Sequence, residues 1–207
     1  MFTFKTLQNR RTTGSARTVL QVAIATGAVL ALSMQANAAD RTFDYRMLAT
    51  SRTSTMEKEL NEGAAAGFRF SKVMGGKATN GGQVIIAMVK EPVPGPETRK
   101  YRLLATTRTS TMQAEMQQLA DGGYSYLDHT VFESATGGKE VVVIMELDSS
   151  RSEGPHSSYR LLATTRTSTM QKELTDAGAQ GYSLLGFTSG KTAGGNEVIA
   201  ILGKVRS

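Results

Sequence analysis

Cysteine and tryptophan are absent from the 207 residues, histidine occurs twice and proline four times. Without cysteine there is no disulfide, no thiolate metal site, no cysteine nucleophile and no lipidated cysteine. His129 and His156 stand in different contexts, one in an expected strand and one in a linker. Neither has a second ligand at metal spacing, and a serine nucleophile would have few bases to draw on. No glycine-rich stretch follows a strand and opens a helix, as a phosphate loop does. A basic face is also missing. The formal charge is +6, but Lys5, Arg10, Arg11 and Arg17 fall in the first 38 residues, which contain no acid. The remainder has 20 basic and 18 acidic residues, which argues against a nucleic-acid binder. With 40 % apolar and 20 % charged residues, the chain is expected to fold rather than stay disordered.

What is present begins with a targeting pattern. Residues 1–17 are basic and hydroxyl-rich, residues 18–34 are moderately apolar, and Ala36-Asn37-Ala38 offers a small-x-small cleavage site before Ala39-Asp40. That order describes a cleavable secretory signal over residues 1–38, with a secreted or periplasmic destination. The apolar run is shorter than the roughly 20 residues of a membrane span, and Gln21, Thr26 and Gly27 interrupt it. Arg10-Arg11 lacks the apolar pair expected after a twin-arginine motif, so the general secretory route is the expectation.

The rest is a threefold repeat. Tyr45-Arg46-Met47-Leu48-Ala49-Thr50 returns at Tyr101–Thr106 and Tyr159–Thr164, and Gly67, Gly123 and Gly181 keep the same offsets. Pro92, Pro94, Pro96 and Pro155 all lie between copies, where proline marks linkers. The divisions are repeat 1 over 41–90, a Pro-rich linker over 91–99, repeat 2 over 100–147, a linker over 148–157 and repeat 3 over 158–205.

Each copy reads as strand, helix, strand, strand. Tyr101, Leu103 and Ala105 alternate with Arg102, Leu104 and Thr106, a strand period. Ser54, Ser110 and Ser168, followed three residues later by Glu57, Gln113 and Gln171, predict a capping box at each helix start. Met56 and Leu60, Met112 and Met116, and Met170 and Leu174 mark one helix face. The three glycines predict left-handed helix ends, with Phe68, Tyr124 and Tyr182 opening the second strands. These aromatics could serve a sugar platform, but capping the core is the favoured reading. Gly75-Gly76, Gly81-Gly82, Gly137-Gly138 and Gly194-Gly195 are read as hairpin turns. The third strand is nearly all apolar (Val84–Val89, Val141–Met145, Val198–Leu202), which predicts cover on both faces. One helix covers one face, so the other must meet a neighbouring unit. The expected fold class is α+β: three tandem β-α-β-β repeats, mixed or antiparallel sheets each with one helix on one face, packed together. The third strand is placed between the other two, antiparallel to both, and the first two run parallel through a right-handed crossover.

The segment from Leu174 through Gly178-Ala179-Gln180-Gly181-Tyr182 to Phe187 resembles the helix-to-strand junction of small bacterial β-α-β-β domains of unknown function. The third copy carries the pattern best, and in the first Gly67-Phe68 keeps only glycine and aromatic. The resemblance implies a fold and no reaction.

One loop recurs with little change. All 13 residues of Tyr101–Gln113 agree with Tyr159–Gln171, whereas residues 124–130 and 182–188 agree at four of seven. Arg52-Thr53-Ser54, Arg108-Thr109-Ser110 and Arg166-Thr167-Ser168 are the candidate ligand-binding residues. A structural reading makes the serine a cap, the threonines turn formers, the methionine a core filler, and the arginine a partner for an acid in the next unit or for the strand's carbonyls. A functional reading makes each loop an anion site, since a helix start offers free N–H groups and arginine adds a fork of donors. Under a pseudo-threefold axis the three arginines would converge on one ligand or on an acidic polymer. Glu59, Glu115 and Glu173 recur one turn into each helix and are read as structural.

The expected function is that of an exported, non-catalytic repeat protein binding a partner or ligand in the cell envelope or outside, an anion or acidic polymer being one candidate. An oligomeric assembly unit is the alternative, followed by a hydrolase or transferase acting on envelope polymers. No catalytic residue, metal or cofactor is assigned. The partner is an unknown protein or anionic ligand, with no nucleic acid and no stable membrane span after cleavage, and a homo-oligomer is an option.

Overall fold

In the computed structural model, residues 42–78, 81–90, 99–133, 139–150, 157–192 and 195–206 are described. The signal segment, the four prolines, His156 and Gly137-Gly138 lie outside the described residues, as does most of both linkers. The first unit comprises β1 (Asp44–Thr50), α1 (Thr53–Ala65), β2 (Arg69–Ala78) and β3 (Gly81–Lys90). The second comprises β4 (Arg99–Thr106), α2 (Thr109–Asp121), β5 (Ser125–Glu133) and β6 (Lys139–Asp148). The third comprises β7 (Ser157–Thr164), α3 (Thr167–Ala179), β8 (Ser183–Thr192) and β9 (Gly195–Val205). Arg99, Asp148 and Ser157 therefore belong to strands rather than linkers, and the aromatics Phe68, Tyr124 and Tyr182 stand just before the second strands.

The sheets are ordered β1-β3-β2, β4-β6-β5 and β7-β9-β8, with the apolar third strand central and antiparallel to both neighbours. The α+β repeat architecture and the strand order are as expected. The helix ends also follow the sequence. Gly67, Gly123 and Gly181 have φ of 83°, 86° and 84°. Phe68, Tyr124 and Tyr182 N–H then reach back five residues to Gly63, Leu119 and Ala177 carbonyls, closing the helix with a reversed pair of bonds. Gly75-Gly76 is not a turn. Both residues lie inside β2, where a Cβ on Gly75 would come within 2.0 Å of the Val131 carbonyl oxygen, so glycine there admits the next unit's backbone.

The units stack front to back in one direction. We call the face bearing the helix the back and the opposite face the front. Met56, Leu60 and the back of β3 (Val84, Ile86, Met88) share a core with Tyr101, Leu103, Val142 and Ile144 from the front of the second sheet. Met112, Met116 and the back of β6 (Val141, Val143, Met145) share a second core with Tyr159, Ile199 and Ile201 from the front of the third. A third, smaller core of Met170, Ala177, Ala200 and Leu202 belongs to the last unit alone. Fully burying one such side chain contributes about 1.5–3 kcal/mol. Burial follows position in the stack. Val141–Met145 are all buried because β6 is covered on both sides, whereas in β3 only alternate residues Val84, Ile86 and Met88 are buried. No helix among the described residues is long and apolar enough to cross a membrane.

Candidate functional site

The capping boxes predicted at Ser54, Ser110 and Ser168 are not formed. Each helix is capped two residues earlier, with Arg52, Arg108 or Arg166 at the N-cap in extended conformation and no side-chain cap bond. The loop is closed instead by the threonine two residues back. Arg52, Arg108 and Arg166 N–H donate to the hydroxyls of Thr50, Thr106 and Thr164 at 3.2, 3.1 and 3.2 Å. The residues expected to reach back to the cap are engaged elsewhere. Leu103 N–H donates to Glu57 Oε2 at 2.9 Å, and Leu161 N–H to Gln113 Oε1 at 2.9 Å.

These bonds belong to a larger device. Asn61 accepts from Tyr101 N–H at 2.9 Å and donates to Tyr101 C=O at 3.0 Å, imitating a neighbouring strand on the outer edge of β4. Gln117 does the same for β7, accepting from Tyr159 N–H at 3.1 Å and donating to Ser157 C=O at 3.3 Å. An edge strand left open is a template for foreign strands, so helix side chains here cover the edge of the next unit. Phe70 N–H donates to the Tyr101 hydroxyl at 3.0 Å and Tyr126 N–H to the Tyr159 hydroxyl at 2.8 Å, next to the register shifts at Phe70/Lys72 and Tyr126/Asp128. Sequence reasoning missed these roles of Glu57, Gln113 and the repeated tyrosines. The signal was available, because tyrosine opens and glutamine closes the unchanged 13-residue stretch.

The candidate arginines lie elsewhere on the surface. Arg52, Arg108 and Arg166 are exposed, as are Ser54, Ser110, Thr167 and Ser168, while Thr53 and Thr109 are half-buried. Among the described residues, no ion pair engages the three guanidinium groups and no bond joins one loop to another. The expected pairing with an acid of the next unit is not made by these arginines; the ion pair across the first junction joins Arg102 to Glu57 of the preceding unit at 3.2 Å. Because both junctions pack front to back through equivalent residues, the loops recur along the stack as a row, not as a cluster around one axis. An open groove of about 360 Å³ runs beside the second loop, lined by Thr109, Ser110, Gln113, Leu161, Leu162, Ala163 and Glu173. Glu173 places a carboxylate among its lining residues, which disfavours an anion inside the groove itself and leaves the exposed arginine beside it as the cationic element.

Three of the perturbed titratable groups, Tyr101, Tyr126 and His129, lie at the junctions, while Lys172 on α3 is raised by its bond to Asp176. Burial pushes the Tyr101 and Tyr126 hydroxyls well up from their ordinary range. Burial also lowers His129, against the opposing pull of the Asp128 carboxylate and a bond to the Phe187 backbone. His129 Nδ1 lies 2.8 Å from the Tyr126 hydroxyl. Among the described residues, no group of three or more histidine, aspartate or glutamate side chains is placed to hold a metal. No known protein family, curated protein or solved structure matches the chain.

Proposed function

We propose that the protein is exported through its N-terminal signal and acts as a non-catalytic binding protein in the cell envelope or outside. Its binding surface is the row of Arg-Thr-Ser loops, and the partner is an acidic polymer. One observation carries the reading: three guanidinium groups, at equivalent points of three stacked units, are exposed and, among the described residues, engaged by no ion pair. A helix start adds N–H donors and partial positive charge beside each of them. Capping does not account for the arginines, since threonine closes each loop. Repetition makes several weak contacts act together on one chain, so a polymer gains more than a small ion.

Thermal unfolding tests this at matched ionic strength, with acidic oligosaccharides and polymers compared with sulfate and citrate. A ligand at one hundred times its dissociation constant adds about 2.7 kcal/mol, and each kcal/mol moves the midpoint by roughly 2–4 °C in a chain of this size. The polymer is expected to raise the midpoint by several degrees, small anions to do little, and the Arg52→Ala/Arg108→Ala/Arg166→Ala variant to lose the shift while keeping its fold. An equal shift in the variant, or none with any polymer, would remove the loops as the binding surface.

A further inference from the structure

We propose that this protein associates head to tail: the open front of the first unit in one copy docks on the open back of the third unit in another. This is independent of the binding reading above. The argument rests on the two junctions already built into the chain, which show what covers each kind of face. At those junctions the front residues Tyr101 and Tyr159 are 1 % and 6 % exposed, and Leu103 is 9 % exposed. Their counterparts in the first unit, Tyr45 and Met47, are 68 % and 75 % exposed. Phe43 packs beside Tyr45, ring centres 6.5 Å apart, and widens the same apolar patch.

The opposite end carries the matching deficit. On the back of the first two units, Phe70, Val73, Tyr126 and His129 are half-buried beneath the next sheet. The equivalent residues of the third unit, Leu184 and Phe187, are 52 % and 55 % exposed. The polar fittings match as well. β8 shifts register between Leu184 and Gly186, as β2 and β5 do beside the N–H groups that bond Tyr101 and Tyr159. Leu184 N–H therefore stands where a tyrosine hydroxyl is received, and Tyr45 is the remaining tyrosine of that set. Gln171 occupies the place of Glu57 and Gln113, ready to accept from the Met47 N–H on the outer edge of β1.

Two positions depart from the inner junctions. Thr175 replaces the strand-bonding Asn61 and Gln117, and Lys72 stands where Asp128 and Gly186 face the preceding unit. The contact is accordingly weaker than the covalently joined junctions and reversible. Front-to-front pairing would set tyrosine against tyrosine with no N–H to receive it, so the contact is heterologous. Such contacts extend into filaments or close into rings.

Sedimentation velocity of the full 207-residue chain across the micromolar range tests this. Met47→Asp spoils the front and Phe187→Asp spoils the back. Both are surface positions, and circular dichroism confirms that each variant is folded. The wild type is expected to grow past dimers with concentration, and each variant alone to stay monomeric. An equal mixture of the two is expected to form a dimer and nothing larger, because each partner keeps one sound face. Tyr45→Phe weakens growth about tenfold, as for one hydrogen bond lost. A wild type that is monomeric throughout overturns the proposal. So does assembly that survives both variants, or a mixture that fails to pair.

Discussion

At the first junction a carboxylate, Glu57, receives Leu103 N–H and holds Arg102 at 3.2 Å. At the second an amide, Gln113, receives Leu161 N–H, while Arg160, the counterpart of Arg102, lies 4.6 Å over the Tyr182 ring and donates to Gln180. The acceptor is common to both and the charge is not. What the repeat maintains is a covered strand edge, because buried backbone groups without partners are costly. The arginine takes whichever neighbour each unit offers. The same division appears where the second strands meet. The first junction places glycine on the preceding strand, Gly75, facing Val131 and Phe132. The second places it on the following strand, Gly190, facing the Val131 side chain.

That contrast in glycine placement gives the largest expected effect. A Cβ on Gly75 would lie 2.0 Å from a backbone oxygen, and Gly75 N–H also donates to Thr130 Oγ1 at 2.6 Å. A Cβ on Gly190 would lie 3.0 and 3.2 Å from the two Val131 methyls, a contact with a side chain that need give by only a few tenths of an ångström. Gly75→Ala is expected to cost about 3 kcal/mol, the upper end of ordinary overpacking, and Gly190→Ala under about 1 kcal/mol. Midpoints would fall by roughly 6–12 °C and under about 4 °C in turn. Equal losses would show that the two strand contacts yield alike, and the distinction between backbone and side-chain contact would fail.

Acid should separate the junctions next. His129 is lowered from its ordinary 6.5 because burial disfavours the charged ring. Its folded value is below its unfolded one, so below pH 6.5 the unfolded chain binds more protons at this site. Stability therefore rises with pH across that window, and the contribution present above 6.5 is lost as the pH falls. The first junction has Val73 at this place, which takes up no proton. Denaturant midpoints between pH 7 and 5 should drop in the wild type, and the slope should flatten in His129→Val. An unchanged slope in that variant would place the acid sensitivity elsewhere.

The fold was legible because its signals are periodic or local. The alternation at Tyr101–Ala105, the Met-Leu spacing and the glycine at each helix end depend on neighbours a few residues away, and repetition in three copies confirmed each one. The apolar third strand also required a central place, with full cover on both sides only where another unit stands in front of it. What was misread depended on partners far along the chain. Ser-x-x-Glu and Ser-x-x-Gln satisfy a capping pattern locally, yet Glu57 and Gln113 bond residues 46 and 48 positions away. Gly75-Gly76 resembles a turn until Val131 is brought against it. The row of arginines was identifiable as a repeated loop. Its arrangement was not, because spacing does not distinguish a stack from a ring.

The smallest effect isolates the acceptor from the charge. Glu57→Gln rebuilds the first junction with the second one's chemistry, keeping an oxygen for Leu103 N–H and dropping the pair with Arg102. Arg102 is half exposed, at 51 %, so solvent screens that pair, and its loss should cost no more than about 1 kcal/mol. Added salt should have less effect on the variant than on the wild type. Glu57→Ala removes the acceptor as well and leaves Leu103 N–H without its partner, at a cost of about 1–3 kcal/mol. If the amide variant falls as far as the alanine variant, the carboxylate charge holds the junction and the shared-acceptor account is wrong. If it stays near wild type while alanine falls, strand-edge cover is what the two junctions have in common. Gln171 then stands at the open end as the same fitting, awaiting a strand.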